Sequence, residues 1–493
     1  MEAMPIGRLY RYHAERDPER PCITCDGIEV TRAEFERRTN QRARLYADLG
    51  VKEGDFVTIS LPNSIETFEV AAAVWKLGAI PNAVSAKLPD AEFTPIINLV
   101  QPKLIVGVEP DRFCAYKSIP AGFGSFETYP DRPLPEKIAP HWKAMTSGGS
   151  TGRPKVIVDH MPGAYAPDAS ILLLIPEQTI LIPGPLYHNM PFSSANLALF
   201  LGNHVVVMTR FEPLETLRLL EVHRVDWVNL VPTMMHRIWR LPEVERNRFD
   251  LSSIRVVRHG GAPCPAWLKE AWIGWLGPHR IYEGYAATER QGGTLITGAE
   301  WLDHRGSVGR SWAGYQIKIL KADGGEALPG EVGEIFFLPD EGPGSTYHYL
   351  GAEPHRSGDW ESVGDLGYLD TDRYLYIADR RSDLIISGGA NVFPAEVEAA
   401  LEAHAQVASS AVIGLPDVDL GQRVHAIVQL RGDVSGRLTE EDLQEFLRSR
   451  LVKYKVPRTI EFVDEPLRDE AGKVRRTHLR DRRLLNCLAP HSA

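Results

Sequence analysis

Short apolar runs alternating with amphipathic helical stretches constrain this chain more than any other feature. Thr31 followed by Glu34 sets a capping box at the head of a helix over 31–50. There follow a strand at DFVTISL, a helix at SIETFEVAAAVWKLG, a strand at AIPNAVS, a helix around 90–99 and a strand at KLIVG. Strand–helix alternation of this kind builds a parallel sheet covered by helices. It returns over 179–260, with strands at TILIPG, HVVVMT, WVNLVP and IRVVRHGG. From Val308 to Asp379 the strands shorten and are broken by Gly, Pro and Asp, which predicts an antiparallel, barrel-like piece. After Arg380 strand–helix units resume and end in a basic run from Lys473 to Arg483, read as a solvated helix face. The expected fold is α/β, with two helix-covered, mostly parallel sheets plus a small β-barrel-like part over 1–379. A small α+β domain over 383–493 follows the polar segment Ala378–Asp383. More than one core is expected of 493 residues, 43% of them hydrophobic, because single cores stop growing near roughly 250–300 residues.

A formal net charge of -10 argues against a nucleic-acid partner, which would leave a basic footprint. Anionic small molecules stay open, since local clusters decide those. The N-terminal stretch shows no apolar core with a small-residue cleavage site, so no signal peptide is read. ILLLI and ALFLG fall well short of the ~20 residues that span a bilayer. The cysteines number five and are scattered, which fits a reduced cytoplasm. Cys22 and Cys25 form a C-x-x-C with no second pair, on a strand that turns at Asp26-Gly27.

The strongest local signal is Ser147-Gly148-Gly149-Ser150-Thr151-Gly152-Arg153-Pro154-Lys155. Glycines let successive backbone N–H groups point into one concavity that suits phosphate. The hydroxyls of Ser147, Ser150 and Thr151 add donors, and Lys155 adds a cation. Gly/Ser/Thr clusters are usually plain surface loops, and the spacing is not that of an ordinary P-loop. Further on stand Gly260-Gly261-Ala262-Pro263, Tyr285-Ala286-Ala287-Thr288-Glu289 and Gly364-Asp365. Behind them come Asp379-Arg380-Arg381-Ser382-Asp383, Ser387-Gly388-Gly389 and Gly472-Lys473-Val474-Arg475-Arg476.

In that order these segments resemble the acyl-adenylate-forming superfamily of acyl-CoA synthetases, peptide-synthetase adenylation domains and firefly luciferase. The resemblance runs from about residue 7 to 483 and is closest to the acyl-CoA ligases. It implies that Ser147, Gly148, Gly149, Ser150, Thr151, Gly152 and Lys155 hold the phosphates of ATP. Gly260, Gly261, Ala262 and Pro263 would lie against adenine, and Tyr285 would stack on it. Thr288 would touch the α-phosphate, Glu289 would hold Mg²⁺, Asp365 would accept from the ribose hydroxyls, and Arg380 would contact ribose or phosphate. The resemblance places a hinge at 380–382 and makes the C-terminal domain a mobile lid. Ser382 stands where the family carries Lys or Asp, and Ala286 where Gly is usual. Gly388 and Gly389 would border the coenzyme A tunnel, and Lys473 would be the mobile catalytic lysine. His188 matches a position that gates the acyl pocket, and Met190, Phe192, Asn229 and Val231 are candidates to line it.

The function so implied is ATP-dependent ligation of a small-molecule carboxylic acid to coenzyme A through an acyl-AMP, with pyrophosphate released. AMP turns a poor electrophile into a mixed anhydride with a good leaving group. The work is mostly positioning and charge stabilisation. Three other readings stand beside it. A stand-alone adenylating enzyme would load a carrier protein, although no L-G-x-x-S-L segment follows Lys473. Another acceptor could serve, such as an amine or, for diazo formation, nitrite. A catalytically dead binding module conflicts with the retention of Thr288, Glu289, Asp365, Arg380 and Lys473. Luciferase-type oxidation lacks a specific sign.

Overall fold

The computed structural model describes residues 1–148, 154–432, 438–469 and 472–488. Two large sheets dominate. One has nine strands, of which Pro21–Cys25, His204–Val207, Thr179–Ile182, Trp227–Leu230, Val256–Gly260 and Ile281–Ala286 run parallel. The second has seven strands. Its parallel centre is Ala144–Gly148, Ile80–Ala83, Phe56–Ile59, Leu104–Val106 and Ser118–Ile119.

Alternation along each strand sorts the layers. Ile180, Ile182, Val205 and Val207 point into a core shared with Val57, Ile59, Leu104 and Val106 of the second sheet. Their neighbours Leu181, Val206, Val228 and Leu230 point the other way, onto the helices Pro213–Val222, Pro232–Trp239 and Ala266–Leu276. The outer face of the second sheet is covered by the helix Asp90–Val100. The inner layer holds Ile6–Arg16, Arg32–Asp48, Ile65–Lys76 and Asn189–Phe200 between the sheets.

A helix sandwiched in this way must be apolar nearly all round, and Ile65–Lys76 is buried from Thr67 onward. Its two inner charges are paired. Glu69 accepts from Arg42 at 2.9 Å and lies 2.8 Å from Arg38, and Lys76 donates to Glu36 at 2.6 Å. A buried charge without such a partner costs far more than the pair contributes. The helix starts sit where the sequence puts them, with Thr31 accepting from Glu34 N and Ser64 from Thr67 N. The Cys22–Cys25 segment is a strand that turns through Asp26 (φ 48) and Gly27 (φ 77), the two left-handed residues of a tight hairpin.

The barrel-like piece is an antiparallel sheet of six strands between Tyr315 and Arg380. Two strands depart from the sequence expectation: Arg310–Ser311 pairs with Gly293–Thr297 at the edge of the first large sheet, and Tyr347–Leu350 pairs with Pro154–Asp159 of the second. The C-terminal sheet contains Ile385–Ser387, Ala390–Val392, Val407–Asp417, Gly421–Leu430 and Thr459–Val463, and the helices Pro394–Glu402 and Glu440–Arg448 pack on it. Among the described residues no helix is long and apolar enough to cross a membrane.

Candidate active site

Ligands of open α/β sheets gather beyond the carboxyl ends of the parallel strands, and the motifs fall there. Gly260, Gly261, Ala262 and Pro263 leave the end of Val256–Gly260. Tyr285 is the penultimate residue of the next strand, Ile281–Ala286, with Thr288 half-buried and Glu289 buried in the turn after it. His188 precedes the first turn of Asn189–Phe200, its ring 4.4 Å from that of Tyr187. Gly260 is required by its neighbour strand, since a Cβ there would overlap the Gly284 carbonyl. Gly261 has φ +80, a backbone conformation that only glycine adopts freely.

Of the phosphate-loop candidates, Gly149, Ser150, Thr151 and Gly152 lie outside the described residues. The flanking strands Ala144–Gly148 and Pro154–Asp159 pair antiparallel, with Ser147 opposite Lys155 and Gly148 opposite Pro154. Lys155 Nζ donates to Glu289 Oε1 at 2.9 Å and to the Tyr349 hydroxyl at 2.8 Å, and Tyr349 donates to the same Oε1 at 2.6 Å. Burial and Glu289 push the Tyr349 hydroxyl far above its usual pKa, so it stays a donor. Both bonds fall on Oε1 of a carboxylate only 5% exposed, which leaves Oε2 for a cation. Among the described residues no group of three or more His, Cys, Asp or Glu could hold a metal. One carboxylate fits Mg²⁺ carried in on phosphates, because this ion keeps water and phosphate oxygens as ligands.

Opposite lies the second cluster. Tyr285 donates to Asp365 Oδ2 at 2.6 Å, and Arg380 Nε is 3.4 Å from Oδ1. Burial raises the Asp365 pKa, and Arg380 pulls it back toward the ionised form. The strand pairing Asp365↔Arg380 sets this contact in the backbone.

Lys473 is exposed to solvent at the mouth of this cleft, yet enough protein crowds it to lower its pKa. Arg380 lowers it further, while Asp469 and Glu289 oppose the shift. Its loop is pinned by Gly472 N on Asp469 O and Lys473 N on Asp469 Oδ1, both at 2.9 Å. The loop meets the large unit at Thr233. Gly472 has φ +76, and a Cβ there would overlap Thr233 Oγ1. Arg240 donates to Val407 O at 3.1 Å, and Arg475 lies 3.5 Å from Glu92. Gly472→Ala therefore combines a strained φ with a clash, a penalty of about 1–3 kcal/mol on this docking. The expected result is acyl-AMP formation slowed roughly tenfold or more, with thioester formation from supplied acyl-AMP much less affected. Single-turnover assays of the two half-reactions check it, and equal loss in both would contradict it.

The segment 380–382 is tied on both sides. Asp379 accepts from Arg380 N at 2.7 Å and Ala395 N at 2.9 Å, and Ser382 Oγ donates to Asp383 at 3.1 Å. Arg476 holds Asp383 at 2.8 Å and Glu398 at 2.7 Å. Gly388 (φ +58) and Gly389 (φ +81) form a two-residue hairpin turn, with Gly388 N bonded to Leu420 O within the same C-terminal part. The structure thus brings together Lys155, Glu289, Tyr285, Asp365, Arg380 and Lys473, while the Gly388–Gly389 bond is made elsewhere. Of the acid-pocket candidates, Met190 and Asn229 both contact Arg258, whereas Phe192 is 1% exposed and packs near Trp75 and Trp142 in the core.

Sequence reasoning missed Tyr349 and Arg258. Tyr349 carries no motif. Arg258 did leave a signal, as a charge inside an otherwise apolar buried strand.

A fold of this architecture, with these groups at the carboxyl edge of its first large sheet, is that of a nucleotide-dependent activating enzyme. The chain belongs to the AMP-binding enzymes: residues 10–346 match the model of the AMP-binding enzyme family, and 396–473 match that of the AMP-binding enzyme C-terminal domain. It is 31% identical over 484 residues to a 2-succinylbenzoate–CoA ligase of Bacillus licheniformis, covering 95% of this chain and 98% of that one. It is 30% identical over 487 residues to a feruloyl-CoA synthase of an Amycolatopsis species, covering 95% and 97%. Among solved structures it resembles the o-succinylbenzoate CoA synthetase of Bacillus subtilis in complex with its acyl-adenylate intermediate. The TM-score is 0.82 at 26% identity, over 98% of this chain and 99% of that one.

Proposed function

We propose that this chain is an ATP-dependent carboxylic acid–CoA ligase whose acid carries an aromatic ring, as do the acids named for its relatives. The observation that carries the reading is the Lys155–Glu289–Tyr349 cluster and the Tyr285–Asp365–Arg380 cluster, with the loop that bears Lys473 docked on the large unit at Thr233. The four described cysteines that are free accord with work in the cytoplasm.

In the first half-reaction the acid's carboxylate oxygen attacks the α-phosphorus of ATP and pyrophosphate leaves. Tyr285 and the Gly260–Pro263 backbone receive the adenine, and Asp365 with Arg380 receives the ribose. Asp365, paired with Arg380, is the acceptor for ribose hydroxyls. Lys155 receives the departing phosphates, and its bonds to Glu289 and Tyr349 support that role because a cation already fixed needs little reorganisation. Mg²⁺, when bound through Glu289, supplies charge stabilisation on the phosphates. Lys473 bridges the attacking oxygen and the α-phosphate, bringing a positive charge to where negative charge collects.

In the second half-reaction coenzyme A sulfur attacks the acyl carbon and AMP leaves. The part from 383 onward turns about 380–382 to withdraw Lys473 and bring Gly388-Gly389 to the cleft, because the two nucleophiles approach from different sides. The test is pyrophosphate release against a panel of aryl acids, with and without coenzyme A and with product masses measured. Acid-dependent release with an acyl-CoA mass is the expected outcome. Release without a thioester would overturn the choice of acceptor, and no release with any acid would overturn the reading.

A further inference from the structure

Arg258 is 2% exposed on the strand Val256–Gly260, two residues before the Gly260–Pro263 segment. Such a guanidinium is normally bound to a carboxylate, because an unpaired buried charge is costly. Four other buried cations of the large unit obey that rule, Arg42 with Glu69, Lys76 with Glu36, Lys143 with Asp159 and Lys269 with Glu283, while Arg246 is satisfied instead by the Trp239 carbonyl and the Trp239 ring. Arg258 has no acidic partner among the described residues. Its side chain donates to the sulfur of Met190 at 3.0 Å, a weak acceptor. Burial alone draws its pKa down to about 10, with no carboxylate restoring it.

Its direction is fixed by register. Asn229, Arg258 and Tyr282 are opposite one another on three adjacent parallel strands, so they share a face. Val228 and Val257 take the other face, and Trp227, Val256 and Tyr282 belong to the inner layer. The guanidinium therefore enters the space between the sheets and lies over Gly284, where a Cβ would come within 2.5 Å of Nη2. It stands between the His188–Met190 turn and the strand that delivers Tyr285.

We propose that Arg258 is a specificity-determining residue that receives a second carboxylate, so that the acid activated here is dianionic. This rests on the acid-ligase reading of the same cleft. One carboxylate goes to the α-phosphate and Lys473; the other pairs with the planar fork of Arg258, which suits bidentate recognition.

The experiment uses matched acids that differ by one carboxylate, 2-succinylbenzoate against 4-oxo-4-phenylbutanoate and 4-carboxycinnamate against cinnamate, with the full-length enzyme, Arg258→Met and Arg258→Lys. The wild type is expected to favour the dianionic member of at least one pair by about 10²-fold in kcat/KM. Arg258→Met abolishes that preference while sparing the monoacid, and Arg258→Lys keeps part of it. Methionine fills the volume without a buried charge, so the variant should fold, and its melting temperature should be no lower than the wild type's. In thermal shift the dianionic acid stabilises the wild type and not Arg258→Met. Monoacids turned over as well as their dianionic partners, or an equal fall for both in Arg258→Met, would overturn the proposal and leave the ligase intact. A panel with no acid-dependent pyrophosphate release would overturn both.

Discussion

Lys473→Ala is expected to slow acyl-AMP formation about 10²–10³-fold, the scale of removing one preorganised donor from a developing negative charge. ATP binding should change little, because Tyr285, Asp365, Arg380 and Lys155 are untouched by the substitution. Thioester formation from supplied acyl-AMP should stay near the wild-type rate, since Lys473 is withdrawn in the proposed second posture. Retained pyrophosphate release in the variant would remove the lysine from the mechanism. The lowered pKa adds an independent signature. Lys473 acts as a cation, so the adenylation rate falls as pH rises through its pKa, and crowding with Arg380 brings that limb below the ordinary lysine value. Lys473→Arg stays charged throughout and should lose the alkaline limb, whatever its absolute rate.

Glu289→Gln is expected to lower acyl-AMP formation by a similar 10²–10³-fold and to raise the Mg²⁺ concentration needed for half-maximal rate. The amide keeps the shape, and its oxygen can still accept from Tyr349, so the effect reports charge. Two roles compete at this residue. As a cation ligand it offers Oε2; as a structural anchor it fixes Lys155 and Tyr349 through Oε1. A Mg²⁺ titration separates them, because loss of the anchor alone lowers the rate without moving the Mg²⁺ midpoint. Tyr349→Phe is the companion: it frees Oε1 from one donor while leaving the cation-facing oxygen unchanged, and should cost far less than Glu289→Gln.

Much of this architecture was legible because parallel strands and their helices announce themselves in apolar runs. TILIPG, HVVVMT, WVNLVP and IRVVRHGG are neighbouring strands of one sheet, as their shared character predicts. Strand partners were less legible. Tyr347–Leu350 reads like the barrel-like strands around it, but its partner is Pro154–Asp159, nearly two hundred residues earlier, and no local pattern encodes so distant a pairing. The motif residues were found by type and spacing, whereas Tyr349 escaped because it reaches the site through that same pairing. Arg258 could have been noticed, since a charge in a strand buried on both faces demands a partner. What spacing could not tell was that the partner is missing from the described residues.

Among the described residues no apolar cluster crosses residue 382. The clusters around Trp75, Trp272, Phe93 and Ile335 belong entirely to the first part, and those around Val412 and Ile413 to the second. What bridges the two is polar or backbone: Ala395 on Asp379, Arg240 on Val407, Arg475 near Glu92 and the glycine at Thr233. A change of posture therefore uncovers little oily surface, and its heat-capacity change should be small. The two parts should also melt as two calorimetric transitions, with ATP raising the first more than the second. An enzyme built this way alternates between its half-reactions by trading hydrogen bonds, at rates set by those few contacts and not by repacking of a core.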